Sequence, residues 1–256
     1  MTQVDFVIGG ATRSATRVLH RILNAHPRIY MPEKSLKKNR RQASPMSYFD
    51  VSNQGKEEEN GKTLYGEWED VAEDCARYYP KAKIIFNLRN PVTRAYSQFC
   101  KAKRDGKETA ETFEQAIKEE MEGIRRPETT GRCWIYKSQY QIHLDEWFSY
   151  FPKEQVHIVL MEEWIDDPAT GLMSLEKFLG LEAGSLGRVY NAQNPEKPNS
   201  IAQRLTPFLE GLQKFTNSNS NQPLAETTKA ELEDIYSVDK LYVTNVLGRD
   251  EIEAWQ

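Results

Sequence analysis

Two segments of this chain combine small, hydroxylic and cationic residues in an order typical of phosphate binding. The first segment, residues 4–17, begins as an apolar run, stops at two glycines and then changes into a helical pattern. A strand, a tight loop and a helix N-terminus in that order present backbone N–H groups to an anion. The sequence therefore predicts a phosphate site at Gly10, Ala11, Thr12, Arg13, Ser14, Ala15, Thr16 and Arg17.

The second segment, residues 83–97, places an arginine directly after another apolar run. Arg89 is followed by an Asn90-Pro91 turn, and Ser97 comes eight residues after the arginine. Guanidinium and hydroxyl groups bind phosphate through short, strong hydrogen bonds. We predict a second anion site at Arg89 and Ser97, and a structural or surface role for Arg94. Two anion sites at neighbouring strand ends indicate a ligand with phosphate at both ends.

The rest of the pattern supplies the elements that must position these residues. Strands are predicted at 4–8, 83–88 and 156–161, and a short strand at 65–68. Helices are predicted from the first loop to His26-Pro27, from Pro91, and at 110–122, 133–151, 168–179, 201–215 and 224–247. Alternating strands and helices predict an α/β fold with a mostly parallel sheet, formed as a single domain over residues 1–256. Ligands bind such sheets beyond the C-terminal ends of the strands.

Charge and composition narrow the class of protein. The net charge of −4 argues against general nucleic-acid binding. Lysine and arginine are nevertheless concentrated in residues 11–41 and 81–107, which overlap the two anion segments, and this favours a focused positive field. Three widely spaced cysteines indicate neither a disulfide framework nor a metal site. No apolar run reaches the roughly 18–20 residues that span a bilayer, and no signal peptide precedes the first strand. A cytoplasmic enzyme is expected.

The first loop differs from the loop that binds nucleoside triphosphates. That loop requires the pattern G-x-x-x-x-G-K-[ST], but here Gly10 is followed after four residues by Ala15-Thr16-Arg17, without the lysine. A strand ending in a magnesium-binding aspartate is also missing from the pattern. The ligand is thus predicted to need no magnesium. A P-loop nucleotide or small-molecule kinase remains an alternative, as does a non-catalytic nucleotide-binding module.

At these residues the sequence resembles the sulfotransferases that use 3′-phosphoadenosine-5′-phosphosulfate. Residues 10–16 resemble their 5′-phosphosulfate loop, and residues 89–97 resemble their 3′-phosphate motif in the expected order. Residues 136–152 are similar to their central helix, and residues 161–181 to the strand–turn–helix that follows. Ala15 stands where these families usually have glycine, which we expect to be tolerated if this residue does not need a positive φ.

The resemblance implies a fold, a donor and a reaction. The fold would be a three-layer α/β/α sandwich similar to P-loop NTPases. The donor would be 3′-phosphoadenosine-5′-phosphosulfate, leaving adenosine 3′,5′-bisphosphate, with no metal. The acceptor would be a hydroxyl of a carbohydrate, lipid or small molecule. Because the C-terminal arginine-lysine-glycine loop of the cytosolic branch has no match and His157 is expected to be a core residue, the carbohydrate and tyrosylprotein branch is favoured.

The resemblance also implies residue roles. Arg13 would stabilise charge on the leaving phosphate oxygen, while Ser14 and Thr16 would bind the 5′-phosphate or cap the helix. Glu33, which follows the histidine-proline that ends the first helix, would be the general base, with Glu67 as the alternative. Lys197 lies in a region that closes over the nucleotide in relatives. Neither the acceptor nor the oligomeric state can be read from a motif.

Overall fold

The structure is a computed structural model, and it describes residues 5–29, 51–52, 68–127, 132–192 and 224–256. The strands are β1 (Phe6–Gly10), β2 (Val51–Ser52), β3 (Lys83–Leu88) and β4 (Val156–Leu160). The α-helices are α1 (Thr16–Asn24), α2 (Trp68–Tyr78), α3 (Pro91–Arg104), α4 (Phe113–Met121), α5 (Tyr140–Tyr150), α6 (Met161–Asp166), α7 (Pro168–Gly171), α8 (Met173–Leu179), α9 (Ser185–Ala192), α10 (Glu226–Ile235) and α11 (Ser237–Leu247). Short 3₁₀ helices lie at Tyr136–Ser138, Lys153–Gln155 and Glu253–Trp255.

The described strands form one mostly parallel sheet in the order β2-β1-β3-β4. β1 and β3 are parallel neighbours, as are β3 and β4, whereas the two residues of β2 pair antiparallel with β1. β1 and β3 are buried along almost their whole length, as expected for strands covered on both faces. The predicted α/β class with a mostly parallel sheet is confirmed, and strand 83–88 has the predicted bounds.

The chain divides into two compact units. The first comprises Met1–Leu88 with Asp145–Arg204, and the second comprises Arg89–Leu144 with Leu205–Gln256. The first unit contains the sheet, in which Phe86 of β3 packs edge-on against Trp147 at 5.3 Å between ring centroids. In the second unit, Phe113 packs against Tyr96 and Phe99 of α3 at 5.2 and 5.3 Å. The single domain over residues 1–256 stays a prediction.

The long helix predicted over 133–151 is wrong over residues 133–139. A 3₁₀ turn at Tyr136–Ser138 precedes α5, and Gln139 between them has φ −77° and ψ 86°. The carboxylate of Glu120 on α4 accepts the backbone N–H groups of Ile135 at 3.0 Å and Tyr136 at 2.8 Å. A helix start is fixed here by a side chain from another element, which replaces the bonds of a continuous helix.

The C-terminal helix predicted over 224–247 is also interrupted. Tyr236, with φ −88° and ψ 4°, separates α10 from α11. Its side chain is fully buried, and its hydroxyl lies 3.3 Å from the carbonyl oxygen of Trp134, to which it donates. The helix predicted over 168–179 is interrupted at Leu172, which has φ −98° and ψ 1°, and it ends at Gly180 in the left-handed conformation.

Candidate active site

In the loop between β1 and α1, here named loop 11–15, the sign of φ alternates from Thr12 to Ala15. Arg13 has φ 74° and Ala15 has φ 55°, and they are the only described non-glycine residues with positive φ. Successive residues of opposite hand turn their N–H groups toward one side, which makes a concave anion-binding surface. The loop leads into the N-terminus of α1, whose first N–H groups have no partner within the helix. Loop 11–15 can therefore bind an anion through its backbone.

Alanine was expected to be tolerated at position 15 if the residue does not need a positive φ, and that condition is not met. The residue is the N-cap of α1 and lies in the left-handed region, at φ 55° and ψ 23°. A Cβ in that region crowds the following carbonyl oxygen and costs roughly 1–2 kcal/mol. The loop thus keeps the geometry that glycine would adopt freely, with an alanine in its place.

Ser14 does not cap the helix, although capping was the alternative to phosphate binding. The N-cap is Ala15, and no side chain caps α1. Ser14 is fully buried, and its Oγ has no hydrogen-bond partner. A buried hydroxyl without a partner is costly, and an anion seated against loop 11–15 would give it one. The residues present therefore fit a bound phosphate. Thr16, the first residue of α1, is also buried.

Gly9 is required by the neighbouring strand. The β1–β3 register shifts between Ile8 and Gly10, and a Cβ at Gly9 would lie 2.8 Å from the ring of Phe86. Any side chain at this position would therefore displace Phe86. The glycine pair that predicted a turn serves the packing of β1 on β3 as well as the loop that follows.

Asn87 on β3 was not singled out from the sequence, yet it holds loop 11–15 in place. Its backbone oxygen accepts the N–H of Ala11 at 2.8 Å, and its side-chain Nδ2 donates to the carbonyl oxygen of Ser14. Its Oδ1 accepts the indole N–H of Trp164 at 2.9 Å. Asn87 and Trp164 are both fully buried. A polar residue within an apolar strand was the available sequence signal, because a buried amide requires partners.

Arg89 follows β3 and is held by contacts in the second unit. Its Nε donates to Thr93 Oγ1 at 3.0 Å, and its carbonyl oxygen accepts the hydroxyl of Tyr140 at 2.6 Å. Asn90 caps α3 through Oδ1, which accepts the N–H groups of Val92 and Thr93. The predicted start of α3 at Pro91 is confirmed, and only 7% of Arg89 is exposed.

Arg94 and Ser97 are both buried on α3. Arg94 donates from Nε to Ser138 Oγ at 3.0 Å and from Nη1 to Gln98 Oε1 at 2.8 Å. Its Nη2 also donates to the carbonyl oxygen of Lys137. These bonds support the structural role predicted for Arg94, since they tie α3 to the segment before α5.

Several predicted residues lie outside the described part of the chain. They are the two candidate bases and the nucleotide contact, Glu33, Glu67 and Lys197. The predicted phosphate residues that are described fall in two units, with loop 11–15 in the first and Arg89 and Ser97 in the second. Their binding to one ligand stays a prediction.

His26 and His157 have local contacts, although His157 is only half-buried and is not the core residue that was expected. His26 is buried after α1, and its Nδ1 accepts the N–H of Arg28 at 3.2 Å. His157 on β4 stacks on Phe178 at 4.9 Å between centroids, and its Nε2 lies 3.2 Å from Ser174 Oγ.

Among the residues that the structure describes, no group of three or more metal-ligating side chains converges on one point. None of the described helices has the length and apolarity needed to cross a membrane.

The chain matches a known protein family over most of its length. The matching family is described as "Sulfotransferase domain", and the match covers residues 3–223. Bifunctional heparan sulfate N-deacetylase/N-sulfotransferase 2 of Homo sapiens is 29% identical over 194 residues, which is 69% of this chain and 22% of that protein. Heparan sulfate glucosamine 3-O-sulfotransferase 5 of Mus musculus is 23% identical over 258 residues, or 85% of this chain and 73% of that protein. This chain is thus similar to less than a quarter of the bifunctional relative.

A solved structure has the same fold. A sulfotransferase from Alicyclobacillus acidocaldarius aligns with a TM-score of 0.64 and 21% identity, covering 100% of this chain and 99% of that one. At this level of identity the likeness concerns the fold alone. The P-loop-like α/β fold predicted from the sequence is confirmed.

Proposed function

Because the chain belongs to the sulfotransferase family, we propose that it transfers a sulfonate group from 3′-phosphoadenosine-5′-phosphosulfate to an acceptor hydroxyl or amine. The observation that carries this proposal is the geometry of loop 11–15. Arg13 and Ala15 are left-handed on either side of Ser14, and the buried hydroxyl of Ser14 has no hydrogen-bond partner. Such a loop suits a phosphate that is bound without a metal ion. We further propose that residues 1–256 act as one sulfotransferase domain.

Each of the two anion segments would bind one end of the donor. Loop 11–15, Thr16 and Arg17 would hold the 5′-phosphate, while Arg89 and Ser97 would hold the 3′-phosphate. Arg89 already has its backbone fixed by Tyr140 and its Nε oriented by Thr93. A guanidinium that is oriented before binding loses little conformational freedom when an anion arrives. Fixing both ends of the donor would orient the sulfonate for in-line attack.

Arg13 is the residue best suited to assist the departure of the 5′-phosphate. The bound donor supplies an activated sulfonate, whose transfer leaves negative charge on the bridging phosphate oxygen. Arg13 lies in loop 11–15 and is half-buried, so its positive charge acts in a partly desolvated setting. A cation placed where charge develops lowers the barrier more than it strengthens donor binding. Glu33 remains the proposed general base, with Glu67 as the alternative.

For the acceptor, we propose a chemical class and not a single compound. One relative is named for N-sulfation and another for 3-O-sulfation of heparan sulfate, and these names add an amine to the hydroxyl expected from the sequence. Both relatives act on a carbohydrate, which supports a carbohydrate acceptor over a lipid. A small-molecule acceptor is the second candidate within the same reaction.

Calorimetry and transfer assays test the proposal together. We expect adenosine 3′,5′-bisphosphate to bind without added metal and ATP with magnesium to bind weakly or not at all. ³⁵S-labelled donor, incubated with N-deacetylated and fully N-acetylated heparan oligosaccharides, separates amine from hydroxyl acceptors. A simple alcohol and a phenol represent small molecules. Tight binding of magnesium–ATP with no heat from the bisphosphate would favour a kinase and overturn the proposal.

A further inference from the structure

We propose that Asn87, itself held by Trp164, is a positioning residue that sets the anion-binding geometry of loop 11–15. The inference rests on the proposed function for the identity of the anion. Its structural basis is a continuous set of hydrogen bonds within the first unit, from the indole of Trp164 through the amide of Asn87 to the carbonyl of Ser14. Neither residue lies within residues 10–16 or residues 89–97, which resemble the donor-binding motifs.

Trp164 determines which way the Asn87 amide faces. An indole nitrogen donates a hydrogen bond and cannot accept one, so the atom that it contacts at 2.9 Å must be the oxygen Oδ1. The amide NH₂ group of Asn87 then faces the carbonyl oxygen of Ser14 and donates to it. Without the indole N–H, the amide would lose the contact that fixes its orientation.

The bond to Ser14 determines where the next N–H group points. The Ser14–Ala15 peptide bond is trans, and in a trans peptide the C=O and N–H bonds point in opposite directions. Because Asn87 draws the Ser14 carbonyl toward β3, the N–H of Ala15 points away from that strand. This N–H belongs to the N-cap residue of α1, and it donates in none of the loop and cap backbone hydrogen bonds of the described residues. Asn87 thereby directs a backbone donor toward the side on which an anion can bind.

The same bond accounts for a left-handed alanine in the loop. Ala15 has φ 55°, a conformation that is unfavourable for any residue with a Cβ. Strained backbone persists where surrounding contacts over-determine it. Here the carbonyl on the N-terminal side of Ala15 is fixed by Asn87, and the carbonyl of Ala15 itself accepts the N–H groups of Val18 and Leu19 at 2.9 and 3.1 Å.

Trp164 is in turn fixed by close packing of α6 on α7. A Cβ at Gly171 would lie 2.4 Å from the Cα of Trp164 and 2.6 Å from its Cβ. Glycine at this position lets the two helices approach, and the indole is fully buried. The donor to Asn87 is therefore held by the interior of the unit and not by a surface loop.

Two variants and one matched control test the inference. Asn87→Leu removes both side-chain bonds at nearly constant size, and Trp164→Phe removes the indole N–H together with part of the ring, which leaves a small cavity. Leu175→Ala on α8 is the control, because Leu175 is fully buried in the same unit and its apolar side chain takes no part in the hydrogen bonds that join Trp164, Asn87 and Ser14. It should lower stability through a cavity and leave the loop unchanged.

The readouts are amide hydrogen exchange in residues 11–17 and calorimetric affinity for adenosine 3′,5′-bisphosphate. For Asn87→Leu we expect exchange in these residues to rise by about tenfold or more and affinity to fall by about tenfold, the factor that corresponds to one lost hydrogen bond. Trp164→Phe should change both in the same direction by less. Leu175→Ala should match the wild type in both, at a temperature where it is folded.

The outcomes separate the inference from the proposed function. Wild-type exchange in residues 11–17 in a folded Asn87→Leu or Trp164→Phe protein overturns the positioning role, whatever the affinity. The same faster exchange in Leu175→Ala as in Asn87→Leu also overturns it, because the effect would then reflect stability alone. If the wild type binds no bisphosphate, the proposed function fails, and exchange still decides whether Asn87 holds the loop.

Discussion

The hydroxyl of Tyr140 donates a hydrogen bond to the carbonyl oxygen of Arg89, with an oxygen–oxygen distance of 2.6 Å. Tyr140 is the first residue of α5 and is almost fully buried. Its ring lies 5.9 Å from that of Trp255, centroid to centroid. The backbone at the strand end is thus fixed by a side chain 51 residues further along the chain, and Arg89 starts from a defined position.

Replacing Tyr140 with phenylalanine should loosen Arg89. The change leaves a buried carbonyl without its partner, which should lower the free energy of unfolding by about 1–3 kcal/mol. Affinity for adenosine 3′,5′-bisphosphate should fall several-fold, because Arg89 would no longer be held before binding. Urea denaturation and calorimetry measure the two effects. Tyr150→Phe, at an exposed position, is the control, and equal behaviour of the two variants would argue against this role.

Arg13 and Arg89 should differ in the kinetic step that they affect. Arg13→Ala should reduce kcat by roughly 10²–10³-fold, as for the loss of a group that stabilises developing charge, with little change in bisphosphate affinity. Arg89→Ala should chiefly weaken that affinity, by about tenfold or more. Arg77→Ala, which removes an exposed ion pair with Glu73, should change neither. Equal and small effects of both active-site variants would contradict the assigned roles.

Ala15→Gly should stabilise the protein. Because Ala15 has φ 55°, glycine removes the Cβ clash, and we expect a gain of about 1 kcal/mol in the free energy of unfolding. Ala102→Gly in the last turn of α3 is the matched control and should cost up to about 0.5–1 kcal/mol. Thermal unfolding of both variants gives the comparison. A loss of stability in Ala15→Gly would show that the left-handed geometry is not strained.

His143 should make the fold sensitive to acid. Its Nε2 lies 3.0 Å from the carbonyl oxygen of Tyr136, and burial lowers the pKa of His143 to about 4, with Arg94 and Lys137 adding smaller effects in the same direction. The unfolded chain binds this proton near pH 6.5 and the folded chain near pH 4. The free energy of unfolding therefore falls as the pH drops from about 6.5 to about 4.

His143→Gln should remove this part of the pH dependence. The difference in the free energy of unfolding between pH 7 and pH 4 should be smaller in the variant by up to about 3 kcal/mol, as calculated from the size of the pKa shift. Urea denaturation at a series of pH values measures it. Burial also lowers the pKa of His157 to about 4, so a smaller dependence should persist until His157 is replaced as well. The same pH profile in His143→Gln and the wild type would contradict the prediction.

The sequence predicted the elements whose signals are local. Strand 83–88 and the start of α3 at Pro91 follow from an apolar run and a proline that favours the first turn. The breaks at Gln139 and Tyr236 were not predictable, because distant groups, the carboxylate of Glu120 and the carbonyl of Trp134, fix them. Helices α2 and α9 were not predicted, and neither was the edge strand β2.

In the candidate site, too, the sequence predicted features with local signals and missed those that depend on distant contacts. Glycines and hydroxylic residues indicated the anion loop, because backbone exposure near a phosphate demands small residues. The sequence did not indicate that Ala15 is left-handed, since the conformation depends on the bond between Asn87 and Ser14. It also did not indicate that Asn87 is paired with Trp164, because this contact joins residues 77 positions apart.

The closeness of Gly9 to Phe86 links two positions that must change together. A larger residue at 9 is compatible with the sheet only if the residue at 86 becomes smaller. We expect covariation of this pair across related chains, independent of acceptor or donor. A motif search that treats the first glycine as a mark of ligand binding would therefore discard relatives in which a shorter side chain at 86 lets an alanine occupy position 9.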